Sequence, residues 1–230
     1  MKKTITLIAL IYISTCLQAQ SKPSEEPLDL KAKAKSISAS LHAGSLGVGI
    51  DGKFAISNKF NIRLGYTYLP INYNTVLSLS GINSNTDLKT NFSNIHLFGE
   101  FKVFKKSDFR LIGGLAYYTN AEINATFSPQ NGYTVGTIYL TGEEIGKLKA
   151  EIDWKGIAPY IGLGFGKAFP KNKINVNFDL GTYYMPSPIC TVTGSERLAD
   201  NQEIGNTITT NLSDYNWFPL LQINLNYKIK

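Results

Sequence analysis

Apolar and polar side chains alternate with a period of two over segments of about ten residues, and the connections between segments are alternately tight and long. Together these features predict an all-β fold, an antiparallel transmembrane β-barrel of eight strands with short periplasmic turns and longer outer loops. The composition agrees, because 13 Tyr, 12 Phe and 20 Gly in 230 residues favour strands and tight turns over helices. Hydrophobic residues make up 43% and charged residues only 17%. No apolar run of about 18 residues occurs beyond the N-terminus, which excludes a helical membrane protein.

The chain opens MKKTITLIALIYISTCLQAQ, with Lys2 and Lys3 ahead of an apolar stretch from Ile5 to Ile13 and small or polar residues up to Gln20. This predicts a secretory signal over residues 1–19. Cys16 supports a rival reading as a lipidated N-terminus. Cleavage removes Lys2 and Lys3 and takes the formal charge from +6 to +4. If Cys16 leaves with the signal, Cys190 is the remaining cysteine, so an exported chain has no internal disulfide and must draw stability from closed hydrogen bonding. Residues 20–36, which include SKPSEEP, read as a linker, with the barrel over 37–230.

The strands follow in order. Leu46, Val48, Ile50, Phe54 and Ile56 share one face, as do Phe60, Ile62, Leu64, Tyr66 and Tyr68 against Asn61, Arg63, Gly65 and Thr67. Ile95, Leu97, Phe101 and Val103 oppose Asn94, His96, Glu100 and Lys102, with Phe98 an exception on the polar face. Phe109, Leu111, Leu115, Tyr117, Ala121, Ile123 and Phe127 oppose Arg110, Gly114, Tyr118, Asn120, Glu122 and Asn124. The pattern continues through Ile157–Phe165, Ile174–Tyr184 and Tyr215–Ile229. These segments make seven strands, whereas single-chain bacterial barrels take even numbers. Ile37, Ala39, Leu41 and Ala43 carry apolar residues in the opposite phase from Leu46 onward, and the slip at Gly44-Ser45 is read as a tight turn that supplies the eighth strand within about 30–43.

Tight connections are expected at Ser57–Lys59, Phe104–Asp108 and Phe169–Asn172, and long polar loops at about 72–90, 128–150 and 187–213. Such segregation of loop lengths puts both termini at the short-turn, periplasmic end.

The blocks GVGIDGKFAISNKFNIRLGY (47–66), FRLIGGLAYY (109–118), IAPYIGLGFGKAF (157–169), NFDLGTYYMPSP (177–188) and YNWFPLLQINLNYKIK (215–230) resemble small outer-membrane barrels of the OmpA- and OmpW-like kind. The resemblance covers most of the mature chain and implies a bacterial outer-membrane address, without naming an activity. One departure is the C-terminus, where Lys230 stands in place of the usual terminal aromatic residue and Tyr227 is the nearest substitute.

With the apolar face toward lipid, the opposite face lines an interior just wide enough to be filled by side chains. Strand parity turns Asp51, Lys53, Arg63, His96, Glu100, Lys102, Arg110, Glu122 and Asp179 inward. Opposite charges in these numbers suit a packed ion-paired interior, because each buried charge needs a partner. A narrow polar conduit for small solutes is the second reading. A soluble carrier with its apolar face inward fits poorly, since its polar face would then expose charges in strict register with glycine. Some eight-stranded outer-membrane barrels are lipid-modifying enzymes that need Ser, His and an acid together. Here Ser93 is expected on the lipid-facing side of the strand that carries His96, the wrong geometry for a nucleophile and its base, so no catalytic role is assigned. No Cys/His spacing suits a metal, and Gly162, Gly164 and Gly166 lack the helix of a phosphate loop, so no cofactor is expected. Those glycines instead leave room for bulky neighbours such as Tyr118 and Tyr160.

The basic residues gather at one end. Lys59, Lys105, Lys106, Lys171, Lys173, Lys228 and Lys230, with Lys102 and Lys167, fall at the short-turn rim, while the 187–213 loop sets Glu196, Asp200 and Glu203 against Arg197. The expected partners are outer-membrane lipid and an envelope or extracellular component met through the loops. Nucleic acid is excluded by compartment, and the chain is expected to act as a monomer.

Overall fold

The computed structural model describes residues 36–79, 82–104, 107–200 and 203–230. The signal segment 1–19 with Cys16, the linker up to residue 35, Lys105 and Lys106 lie outside the described residues.

In chain order the strands are β1 (Ile37–Gly44), β2 (Gly47–Ala55), β3 (Phe60–Leu79), β4 (Ile82–Lys102), β5 (Arg110–Pro129), β6 (Tyr133–Val135), β7 (Ile138–Leu140), β8 (Leu148–Asp153), β9 (Gly156–Phe165), β10 (Ile174–Tyr184), β11 (Ile189–Gly194) and β12 (Trp217–Lys228). A short helix α1 (Gly142–Ile145) and a longer one, α2 (Glu203–Leu212), lie in the outer connections. Eight strands close a ring in the order β1, β2, β3, β4, β5, β9, β10, β12 and back to β1, every neighbour antiparallel. Closure satisfies the backbone without leaving an edge in the wall, the requirement for a sheet in lipid.

The phase slip in the sequence is a two-residue turn at Ser45-Leu46, where β1 doubles back onto β2. The start of β1 and the end of the chain meet at the short-turn end, where the Ile37 amide donates to the Lys230 carbonyl at 3.0 Å.

The outer wall is apolar. Leu41, Ile50, Leu64, Ile95, Leu97, Leu115, Ile161, Leu180, Ile223 and Leu225 are exposed between two aromatic bands. Tyr66, Tyr68, Tyr117, Tyr184 and Trp217 form the outer band, and Phe54, Phe60, Phe101, Phe165 and Tyr227 the one nearer the short turns. Along β12 the bands stand ten residues apart at Trp217 and Tyr227, about 25 Å of membrane normal for a strand tilted by ~40°. This is the surface of a membrane-spanning barrel.

Beyond the outer band the fold departs from the sequence expectation. The segment 72–90 is a continuation of β3 and β4, paired as far as Leu79 and Ile82, and not an irregular loop. It projects clear of the lipid, so neither face needs to be apolar and the period-two signal fades while the backbone stays extended. The connections 128–150 and 187–213 are also structured: β8 pairs with the outer half of β5, above the stretch that pairs with β9, and β11 adds to β8, with α2 packed against β11.

A β-bulge marks where the membrane wall passes into this outer extension. Below it β5 pairs with β9, from Arg110 to Tyr118, and above it with β8, from Glu122 to Phe127. Thr119 is the extra residue, since Ser93 pairs with Asn120 and Asn94 with Tyr118.

Candidate functional site

The interior has two zones. Toward the outer end it is aromatic: Phe92, Tyr118, Trp154, Tyr160, Tyr183, Met185 and Leu220 are buried together, with Phe218 packed against them. Trp154 meets Phe218 edge-on at 5.5 Å, and Phe92 lies 5.8 Å from Trp154. Toward the short turns the interior is charged. Among the described residues, the buried acids Asp51, Glu100 and Asp179 face the buried bases Lys53, Arg63 and Arg110.

Four of these groups form one network. Arg63 donates through Nη1 to Asp179 Oδ2 at 2.6 Å, and its Nε lies 3.4 Å from Glu100 Oε1. Arg110 donates through Nη1 to Glu100 Oε2 at 2.7 Å and through Nη2 to Asp179 Oδ1 at 3.2 Å. Strands β3 and β10 lie four places apart in the ring of eight, so the Arg63–Asp179 pair crosses the full diameter. Asn224 adds a hydrogen bond from Nδ2 to Asp179 Oδ2 at 2.9 Å. Lys53 is wholly buried and donates to Asn226 Oδ1 at 2.7 Å.

A second cluster sits around Asp51. His42 Nδ1 lies 3.1 Å from Asp51 Oδ2, His96 Nε2 lies 2.8 Å from Asp51 Oδ1, and Ser40 donates to Oδ2 at 3.3 Å. The far side of His42 meets Thr67 Oγ1 at 3.0 Å, and the far side of His96 meets Asn94 Oδ1 at 3.1 Å.

Phe98, the aromatic residue on the polar face, joins the two zones. Its ring stacks on His96 at 4.6 Å and on Tyr160 at 4.5 Å, and Arg63 Cζ lies 5.1 Å from its centroid. This is a cation–π contact in a desolvated setting.

These contacts share one construction. In three places two polar residues on alternate strands meet across a glycine on the strand between them. Asp51 and His96 meet across Gly65, His42 and Thr67 across Gly49, and Arg110 and Asp179 across Gly164. A Cβ at Gly65 would lie 2.5 Å from His96 Nε2, one at Gly49 2.5 Å from His42 Nε2, and one at Gly164 2.7 Å from Arg110 Nη2. Gly162 clears space for Tyr160 in the same way, with Tyr160 Oη 2.5 Å from the position of its Cβ.

Of the residues placed inward by parity, the structure brings Asp51, Lys53, Arg63, His96, Glu100, Arg110 and Asp179 together. Lys102 stands lower, at the short-turn mouth, its side chain 31% exposed and its Nζ 3.4 Å from Asp108 Oδ1. Glu122 is a correction. The bulge at Thr119 reverses the parity of β5, so Ala121 is buried inside while Glu122 turns out, opposite Asp153 on the outer extension. Ile123 moves with Ala121 and packs against the aromatic zone rather than facing lipid. Ser93 keeps the side opposite His96, in register with the exposed Tyr68, and the bulge buries it there, its Oγ 2.7 Å from Thr119 Oγ1 and accepting from Asn120 Nδ2 at 3.2 Å.

Sequence reasoning passed over His42 and the Asn177, Asn224 and Asn226 set, all buried. Their positions on the polar faces of their strands, even-numbered on β1 and β12 and odd-numbered on β10, were the available signal. Cys190 is buried on β11, where burial pushes its thiol up, and its amide donates to Thr209 Oγ1 on α2 at 2.9 Å.

No family model and no curated protein matches this sequence. Solved structures do match. A crystal structure of Acinetobacter baumannii CarO superposes with a TM-score of 0.57 at 19% identity, covering 84% of this chain and 97% of that one. A second, of Acinetobacter baumannii CarO2, gives 0.59 at 20% identity, covering 85% of this chain and 100% of the other. The chain is therefore similar in fold to these barrels along nearly their whole length.

Proposed function

We propose that the protein is a bacterial outer-membrane barrel whose interior is held shut by its own side chains and which acts through the surface it presents outside the membrane. One observation carries this reading: the Arg63–Asp179 pair spans the lumen and is tied to Glu100 and Arg110, all four buried, directly below the Phe98–Tyr160 stack. A solute would have to break paired charges in a buried interior, at a cost of several kcal/mol per stranded ion. The same packing supports a non-enzymatic role.

The outer extension is the part available to a partner. Above Tyr68 β3 pairs with β4 alone, and the hairpin they form stands about 35 Å of strand beyond the wall. Beside it a cleft of about 420 Å3 is lined by Glu122, Glu151, Asp153, Lys155 and Thr191, a polar surface suited to an envelope or extracellular component. At the opposite end the exposed Lys59, Lys173 and Lys228 suit anionic headgroups.

The test is conductance of the refolded protein in a planar bilayer. No discrete current steps are expected across the full voltage range the membrane tolerates. Stable steps would favour the narrow-conduit reading and sink the closed one.

A further inference from the structure

The short-turn mouth of the barrel holds a cup of about 290 Å3, with Arg110 and Asn61 at its floor and Lys102, Asp108 and Lys167 in its wall. Its charges do not balance. Arg110 is already paired with Glu100 and Asp179, and Asp108 is shared with Lys102. Lys167 has no carboxylate within ion-pair distance among the described residues, and Lys171, four residues further along the same turn, lowers the Lys167 pKa. The turn that carries both lysines is anchored. The Lys167 carbonyl accepts from Asn175 Nδ2 at 2.7 Å and Asn177 Nδ2 at 2.8 Å, and Ala168 is buried beneath it. A lysine without an acid partner in the wall of a concave site, with a second lysine on the same short turn, is an arrangement that an anion stabilises.

We propose that this cup binds a small soluble anion through a phosphate or carboxylate group, gripped by Lys167 and Lys102, with Lys171 on the same turn adding to the positive field. The site lies inside the ring and opens along the barrel axis. Phe54, Phe60, Phe101 and Phe165 stand on the other side of the wall, in the lipid-facing band. A headgroup in the bilayer therefore meets Lys173 and Lys228 on the rim, whereas the cup is filled from the aqueous phase. The assignment holds whether or not the barrel conducts, so the conductance test does not decide it.

The experiment uses the isotopically labelled full-length barrel in phosphatidylcholine nanodiscs, titrated with inorganic phosphate at constant ionic strength. Amide signals over 166–171 and at Lys102 are expected to shift saturably, with a half-point in the millimolar range. The double variant K167Q/K171Q is expected to raise that half-point about tenfold, a loss of ~1.4 kcal/mol, while keeping the heat-modifiable gel mobility of a folded barrel. Lys228→Gln is expected to leave the half-point unchanged. A linear response without saturation, the same response to sodium chloride, or an unchanged half-point in folded K167Q/K171Q would each overturn the proposal. Nanodiscs containing phosphatidylglycerol, with no phosphate added, are expected to move only the Lys173 and Lys228 signals. If they shift the 166–171 signals instead, the ligand is a headgroup and the soluble-anion assignment fails.

Discussion

Gly65 shows how the interior is built from single residues. Asp51 and His96 reach each other only because the strand between them carries no side chain at that level. Gly65→Ala puts a methyl group into that contact and is expected to cost about 1–3 kcal/mol, read as a lower urea midpoint for loss of the heat-modifiable form. Gly52→Ala is the control, because the nearest atom to its Cβ would be 3.7 Å away on Phe54, an ordinary contact. An equal loss in both variants would remove the special role of Gly65. The ion network makes a second prediction at this scale. Arg110→Ala leaves Glu100 and Asp179 with Arg63 as their shared arginine partner and is expected to destabilise the barrel by about 3–5 kcal/mol. Removing Glu100 as well restores the charge balance while keeping the 2.6 Å Arg63–Asp179 pair. The double variant should therefore lose clearly less than the sum of the two single losses. Strict additivity would mean that the four groups do not act as a unit.

At the level of elements, the bulge in β5 decides what the outer half of that strand does. One inserted residue exchanges the two faces of every residue beyond it. Thr119 thereby brings Ala121 and Ile123 onto the aromatic zone and leaves Glu122 on the outer surface. In a Cys190→Ser background, Glu122→Cys is expected to react quickly with a membrane-impermeant thiol reagent in the folded protein, and Ala121→Cys to stay unmodified until unfolding. The reverse pattern would return β5 to a single phase throughout. The bulge also lies where β5 exchanges its partner, from β9 to β8, so it lets one strand serve both the membrane wall and the outer sheet.

For the whole molecule, ring closure and the unequal ends set the orientation. Short turns, the start of β1 and Lys230 lie on one side, and the β3–β4 hairpin, β8, β11 and α2 on the other. In the outer membrane this puts the hairpin outside the cell. On intact cells Asn83→Cys is expected to be labelled by an impermeant reagent and Asn172→Cys to be protected until the envelope is opened. Protection of Asn83→Cys together with labelling of Asn172→Cys would turn the topology over.

The number of strands in the ring, the lipid-facing residues of the wall as far as the bulge and the tight turns at Ser57–Lys59 and Phe169–Asn172 were legible in the amino-acid sequence. In lipid a strand has one apolar face, so the alternation is imposed residue by residue and survives without knowledge of any neighbour. The slip of phase at Gly44-Ser45 was legible for the same reason. The equally real slip at Thr119 was not, because beyond it the strand leaves the membrane and either face can carry Ala, Ile, Asn or Thr. The extension of β3 and β4 to Leu79 and Ile82 was hidden likewise, since outside lipid a paired strand needs no apolar face. Parity could say that Arg63, Arg110, Glu100 and Asp179 point into the barrel. It could not say which acid meets which base, or that His42 and His96 share Asp51, because those contacts join strands brought together by the closure and stagger of the ring. Local alternation determined the wall, and only the tertiary structure decided the pairing across the lumen, because distances between strands are set by the closed ring and not by any one strand.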